Sequence, residues 1–190
     1  AATGVMRADP DRFHSIATQD DAVSAGWPVT VDNSGVLNYL NRFGKSLNNT
    51  YKSLDPVSEM YYAATRYFRN LGNVASYSNL AGAGSQANLA RWIDGFPVIR
   101  TWNDPIQYSC QKNFILGIGD VNTHRDRNVP GSTITSGDEP AVPAEVTADS
   151  TVNATTANNM IGQMEGLANL GTFSSGRNNS YYMAGLAYDA

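Results

Sequence analysis

The sequence predicts an α/β layer protein: a sheet flanked by helices and interrupted by long loops. Three observations carry that expectation. Hydrophobic residues make up 42% of the 190 residues, enough to fill a packed core. Several stretches repeat apolar residues at helical spacing. Between them lies one short, continuous apolar run behind a loop containing Pro and Asn, the pattern of a buried strand.

The elements follow in chain order. Asp9-Pro10 and Gly26-Trp27-Pro28 are turn signals, and Val29-Thr30-Val31 fits a short strand. A helix is expected from Ser34 to Leu47, because Val36, Leu37, Leu40, Phe43 and Leu47 share one face and Asn33 or Ser34 can cap it. A second helix is expected after Asp55. Asp55 suits the N-cap, Pro56 the first helical position, and Glu59 the positive end of the helix dipole. Met60, Ala64, Tyr67, Phe68 and Leu71 form its apolar stripe, and Gly72 its stop.

Residues 73–109 carry no period, and Trp92, Phe96 and Trp102 are expected to anchor an ordered insertion. Gln111 to Gly119 reads as the buried strand. It would deliver Asp120 to a carboxyl end, where open α/β sheets collect functional groups. Residues 127–152 read as a long loop or surface hairpin. A third helix is expected from Thr156 to Leu170 on Met160, Ile161, Met164, Leu167 and Ala168. A polar turn over 171–179 leads to a last helix from Tyr181.

Composition narrows the function classes. Charged residues are only 16%, against about 25% in an average soluble domain, which suits a secreted or cell-surface protein. The net charge is -4 and the basic residues are scattered singly, so nucleic acid is not an expected partner. The single cysteine, Cys110, excludes a disulfide within the chain. It reads either as a buried free thiol or as half of a bridge to a residue elsewhere. The first residues lack the apolar core of a signal peptide, and no apolar run is long enough to span a bilayer. Both ends read as truncations.

Few motifs carry chemistry. Gly82-Ala83-Gly84-Ser85-Gln86-Ala87 matches a dinucleotide-binding pattern, but the polar Ser76–Ala81 stretch precedes it instead of a strand. There is no nucleophile elbow and no phosphate-binding loop. With His14, His124 and one cysteine, a closed zinc site is not expected. No catalytic role is therefore expected. An unrecognised hydrolase would need His124, Asp126 and a serine within reach of one another. One constellation has metal-ligand character: Asp120, Asn122, Asp126 and Asn128 offer hard oxygens to Ca²⁺ or Mg²⁺. It is not an EF-hand, since Arg125 and Gly131 stand where Gly and Glu are required. The alternative is a polar turn in which Asp120 and Asn122 bond their own backbone.

Three stretches together resemble one family. Ser53–Phe68, with its Asp-Pro opening and Arg66-Tyr67-Phe68 end, is similar to a helix of the PilY-type pilus proteins. Cys110-Gln111-Lys112-Asn113 and the run to His124 resemble that family's Cys-Gln-Lys-Asn strand. Ser180–Tyr188 resembles the segment closing the same domain. The resemblance implies that residues 1–190 are part of a von Willebrand A-like domain of α/β type, with insertions near 72–109 and 127–152. It implies a non-enzymatic role in type IV pilus biogenesis and pilus-tip adhesion, with surface attachment and twitching motility. The implied partners are minor pilins, the pilus tip and a surface or host receptor. The implied location is extracellular, reached through the periplasm. An ion, Ca or Mg, would be held at a degenerate site by Asp55, Asp120, Asn122 and Asp126. Asp55 stands where the family has Thr, and Gly119 and Val121 replace the usual neighbours of the acid at 120. The alternative is a purely structural segment that binds neither ion nor ligand.

Overall fold

In the computed structural model, the described residues are 54–93, 98–119, 123–133, 140–168, 170 and 179–190. The expected strand at Val29–Val31, the helix Ser34–Leu47, Phe96, Asp120, Asn122 and residues 171–178 of the polar turn lie outside them. The chain divides into two compact units. One is Ala1–Lys52 with Asn79–Ile99, and the other is Ser53–Ser78 with Arg100–Ala190.

The second unit holds helix α1, Val57–Phe68. Its start does not follow the sequence expectation. Pro56 occupies the cap position and no local side chain caps the helix. The carboxylate of Asp126 accepts the Ser58 N–H instead, so an acid remote in sequence caps the helix. The end also differs. Asn70, at φ 53°, takes the left-handed position expected of Gly72. The Leu71 N–H donates to Arg66 O at 2.9 Å and the Asn70 N–H to Tyr67 O at 3.1 Å, the two bonds of a Schellman turn. The Arg66 guanidinium closes the turn further, donating to Gly72 O at 3.0 Å and Leu71 O at 2.8 Å.

The buried face of α1 is Ser58, Glu59, Tyr62 and Thr65. Met60, Tyr67 and Leu71, expected to face the core, are exposed. Tyr67 meets Trp102 edge to face, with centroids 5.5 Å apart, so part of the outward stripe is covered by the segment after α1.

In the first unit, a 3-10 turn at Ala81–Ala83 leads into helix α2, Gln86–Ile93. Gly84 has φ 69°, which permits the tight change of direction between them.

The second unit continues with a short helix α3 (Ala144–Thr147), α4 (Ala154–Met164) and α5 (Tyr182–Asp189). The Asn153 side chain caps α4 by accepting the Thr156 N–H at 2.9 Å. Gly166, at φ 75°, closes its end, and the helix stops at Met164 rather than at Leu170. Here too the apolar stripe faces outward. Met160 and Met164 are exposed, while Ala154, Ala157, Asn158 and Gly162 are buried. Small residues let α5 come close. A Cβ on Gly185 would lie 2.6 Å from Asn158 N and 2.9 Å from Ala154 O. The Gly185 N–H donates to Asn158 Oδ1 at 2.8 Å, which fixes the register of the pair.

The core gathers Tyr62, Val74, Val129, Val146, Val152, Ala154, Tyr182 and Leu186. Three of these valines come from 127–152, so much of that segment is a core-bearing connection as well as a surface loop. Pro130 O accepts the Ala154 N–H at 2.9 Å, and Gly131 O accepts the Thr155 hydroxyl at 2.6 Å, tying it to α4.

Gln111–Gly119 was expected to be a buried strand. It has no regular structure and is largely exposed. A strand exists only where a neighbour takes its N–H and C=O groups, and no described residue is in a strand. Cys110, read as a buried or bridged thiol, is exposed beside that segment, which removes the buried reading.

Gly185→Ala should destabilise the fold by about 1–3 kcal/mol, because backbone atoms of α4 must shift to admit a methyl group. Urea unfolding followed by circular dichroism measures it. Met160→Gln, on the exposed face, should change the midpoint little.

Candidate functional site

The densest polar chemistry lies at the N-terminus of α1. Asp126 is 1% exposed and Glu59 is 7% exposed, so both carboxyl groups have left water. Burial of this kind needs compensation by hydrogen bonds. Asp126 Oδ2 accepts hydroxyl protons from Thr123 at 2.9 Å, Ser58 at 3.0 Å and Ser180 at 3.1 Å. Its other oxygen takes the Ser58 N–H. Glu59 Oε1 accepts the N–H groups of Asn128 at 2.7 Å and Arg127 at 3.0 Å. The two acids therefore fix both sides of one crossing between α1 and the loop of 123–128: Asp126 caps α1, and α1 returns Glu59 to the backbone beside Asp126.

Glu59 Oε2 is buried with no donor facing it. Its neighbour is the carboxyl group of Asp126, with which it pairs. Two acceptors make a hydrogen bond only when one carries a proton. Burial, followed by the nearby Asp126 charge, raises the Glu59 pKa from 4.5 to about 8, with the Asn128 N–H pulling the other way. Burial raises Asp126 as well, against the pull of its hydrogen bonds from Ser58 and Thr123. At neutral pH the pair thus holds a proton on Glu59, which donates to Asp126.

Asp55 and His124 stand at the mouth of this cluster. His124 Nδ1 donates to Asp55 Oδ1 at 2.6 Å, and Asp55 O accepts the His124 N–H at 3.4 Å. Asp55 thus serves the loop of 123–128 rather than capping α1. Asp55 and Asp126, two of the four residues expected to hold an ion, are engaged with separate partners. Asp120 and Asn122 lie outside the described residues. Among the described residues no three His, Cys, Asp or Glu side chains gather as a metal cage. Ser58 and Ser180 bond Asp126, whereas the His124 ring bonds Asp55.

Nothing in the sequence pattern singles out Ser58, Thr123 or Ser180. Ser58 and Ser180 reach Asp126 across 68 and 54 positions, beyond any local pattern, whereas Thr123 lies only three positions away. Glu59 could have been found: it is a charge on the side of α1 that also carries Tyr62.

A second network, built on Arg66, braces the same helix. Arg66 pairs with Asp149, and Tyr62 donates to the same carboxylate. Burial pulls Asp149 upward, but hydrogen bonds from Thr151 and Tyr62 and the Arg66 charge outweigh it, leaving the carboxyl below its usual range.

Comparison with known proteins adds to this geometry. The family model described as "PilY1 homolog, second domain" matches residues 18–187. A curated relative from Xylella fastidiosa (strain Temecula1 / ATCC 700964), a "Type IV pilus biogenesis factor PilY1 homolog", is 44% identical over 174 residues. The match covers 85% of this chain and 14% of that relative, so the chain corresponds to a small part of its length. No solved structure matches.

The shared proton sets a pH dependence. Between 4.5 and about 8 the folded chain keeps a proton on Glu59 that the unfolded chain releases. Stability is therefore greatest, for this group, below 4.5 and is lost as pH rises through 8. Glu59→Gln, which keeps the acceptor and donates its amide to Asp126, should flatten this decline in the unfolding midpoint. Asp126→Ala strands the Ser58 N–H and three hydroxyls and should cost about 3 kcal/mol or more at any pH.

Proposed function

Because the chain belongs to the family of PilY1 homolog second domains, we propose that it serves as a non-catalytic module of type IV pilus biogenesis and pilus-tip adhesion. The observation that carries the reading is the identity to the Xylella relative, which extends over most of this chain. The resemblance of Ser53–Phe68, Cys110–His124 and Ser180–Tyr188 supports the same assignment. The helical unit gives it a physical form: a braced scaffold with a largely exposed segment over 100–119, the usual arrangement for recognition. On this reading the module is exported and works at the cell surface with minor pilins and a surface or host receptor. The layered α/β sheet of the von Willebrand A type belongs to the proposal. A hard cation, Ca²⁺ or Mg²⁺, would then enter through Asp120 and Asn122 rather than through the occupied oxygens of Asp126.

One observation favours the structural alternative. The carboxylates of the candidate site spend their hydrogen bonds on backbone and hydroxyl groups of the same chain. A module held this way can act through shape alone.

In the native bacterium, Asp126→Ala in the full-length protein should reduce surface pili recovered by shearing and shrink the twitching zone. Glu59→Gln should leave both near wild type. Wild-type piliation and motility in a strain lacking residues 53–190 would exclude a pilus role.

A further inference from the structure

Helix α4 carries two thioethers on its outward face. Met160 and Met164 stand four residues apart, so their side chains lie one above the other on the same side of the helix. They are 45% and 71% exposed. The inward face of α4 is filled by Ala154, Ala157, Asn158 and Gly162, with Gly185 of α5 set against Ala154 and Asn158. Small residues make that packing, and the two sulfurs are not used in it.

A single exposed Met needs no explanation. Two at the spacing of one turn are different, because a thioether is a soft ligand on a flexible arm, and two such arms can close on one ion. Thr156 and Gln163, their neighbours on that face, are uncharged. The nearest acid, Glu165, directly follows Met164 and so leaves the chain on another side. The face offers no carboxylate, imidazole or thiolate, and so little to hold Ca²⁺, Mg²⁺ or Zn²⁺. Met60 of α1 and Met183 of α5 are also exposed, but neither has a second sulfur within a turn of its own helix.

We infer that Met160 and Met164 form a binding site for a soft monovalent metal ion, Cu⁺, held between their two sulfurs. Each Sδ donates a lone pair, and an ion of this class accepts as few as two ligands. A thioether has no proton to lose on binding. The site therefore works in acid as well as at neutral pH, unlike one built from thiols or imidazoles. This inference does not rest on the pilus reading and stands if that reading fails.

Nuclear magnetic resonance of the full-length protein, labelled with ¹³C at its methionine methyl groups, tests it. Ag⁺, an air-stable ion of the same class, and Cu⁺ kept reduced by ascorbate are the probes. Either ion should shift the methyl signals of Met160 and Met164 together, on one saturation curve, and leave Met60 and Met183 in place. The response should be the same in mild acid and at neutral pH. It should persist in Cys110→Ser, which removes the exposed thiol as a competing ligand. Met164→Leu keeps the side-chain volume and should weaken binding at Met160 about tenfold or more, because the second sulfur no longer closes on the ion. Equal shifts at Met60 and Met183 mean an adventitious ion only and overturn the inference. A Met160 response undiminished in Met164→Leu overturns it too, as does a response lost in Cys110→Ser. No shift at either sulfur in the wild type, or the same shifts with Zn²⁺, counts against it equally, and these wild-type readings decide the matter if a variant does not fold.

Discussion

The capture of the α1 N-terminus by Asp126 is the interaction on which the rest of the larger unit depends. A helix start exposes N–H groups that need acceptors, and α1 has none nearby in sequence. Asp126 supplies one, and in doing so it draws the loop of 123–128 against the helix. Ser180 joins the same oxygen and brings the start of α5 to the same point. The valines of the following segment then lie where Tyr62 and Leu186 can cover them. Polar geometry sets the crossing, and apolar burial follows from it.

The electrostatic cost of that crossing is contained by proton sharing. Two ionised carboxyl groups in a buried pair repel each other and lack water to screen them. Protonating Glu59 turns the repulsion into a hydrogen bond and leaves a single negative charge, which four donors stabilise. The Arg66–Asp149 pair solves a similar problem differently. There the charges are opposite, and Tyr62 and Thr151 complete the carboxylate. Both networks act on α1, one at its first turn and one on its second half.

Helices were legible in the sequence, and their orientation was not. The periods in 56–71 and 156–168 located α1 and α4, because apolar spacing at 3.6 residues survives whatever covers it. The stripe itself misled. In α4 the buried face is Ala154, Ala157, Asn158 and Gly162, chosen because α5 approaches closely, whereas Met160 and Met164 point away. A rule that sends the largest apolar side chains inward fails where close helix approach selects small ones. Asp55 failed as a cap for a similar reason. His124, far along the chain, made a better partner for it, and Asp126 could reach the helix. Asp126 was picked out as an oxygen ligand, but two of its three hydroxyl partners, Ser58 and Ser180, come from distant parts of the sequence. The apolar run at 111–119 read as a buried strand by composition, yet it has no regular structure, because pairing depends on a neighbour that composition does not name.

The clasp also dictates when the molecule can finish folding. Its parts, Ser58, Asp126 and Ser180, are spread over most of the chain, so α1 is translated long before the residues that complete it. A ribosome or a secretion channel emitting the polypeptide from its amino end would release a helix with an unfinished start and an uncovered Tyr62. Only when the segment carrying Ser180 and Leu186 emerges can the unit close. Long-range closure of this kind is slow. It leaves the chain pliable until nearly all of this region has been delivered, and it makes α5 the piece whose arrival turns a loose polypeptide into a rigid one.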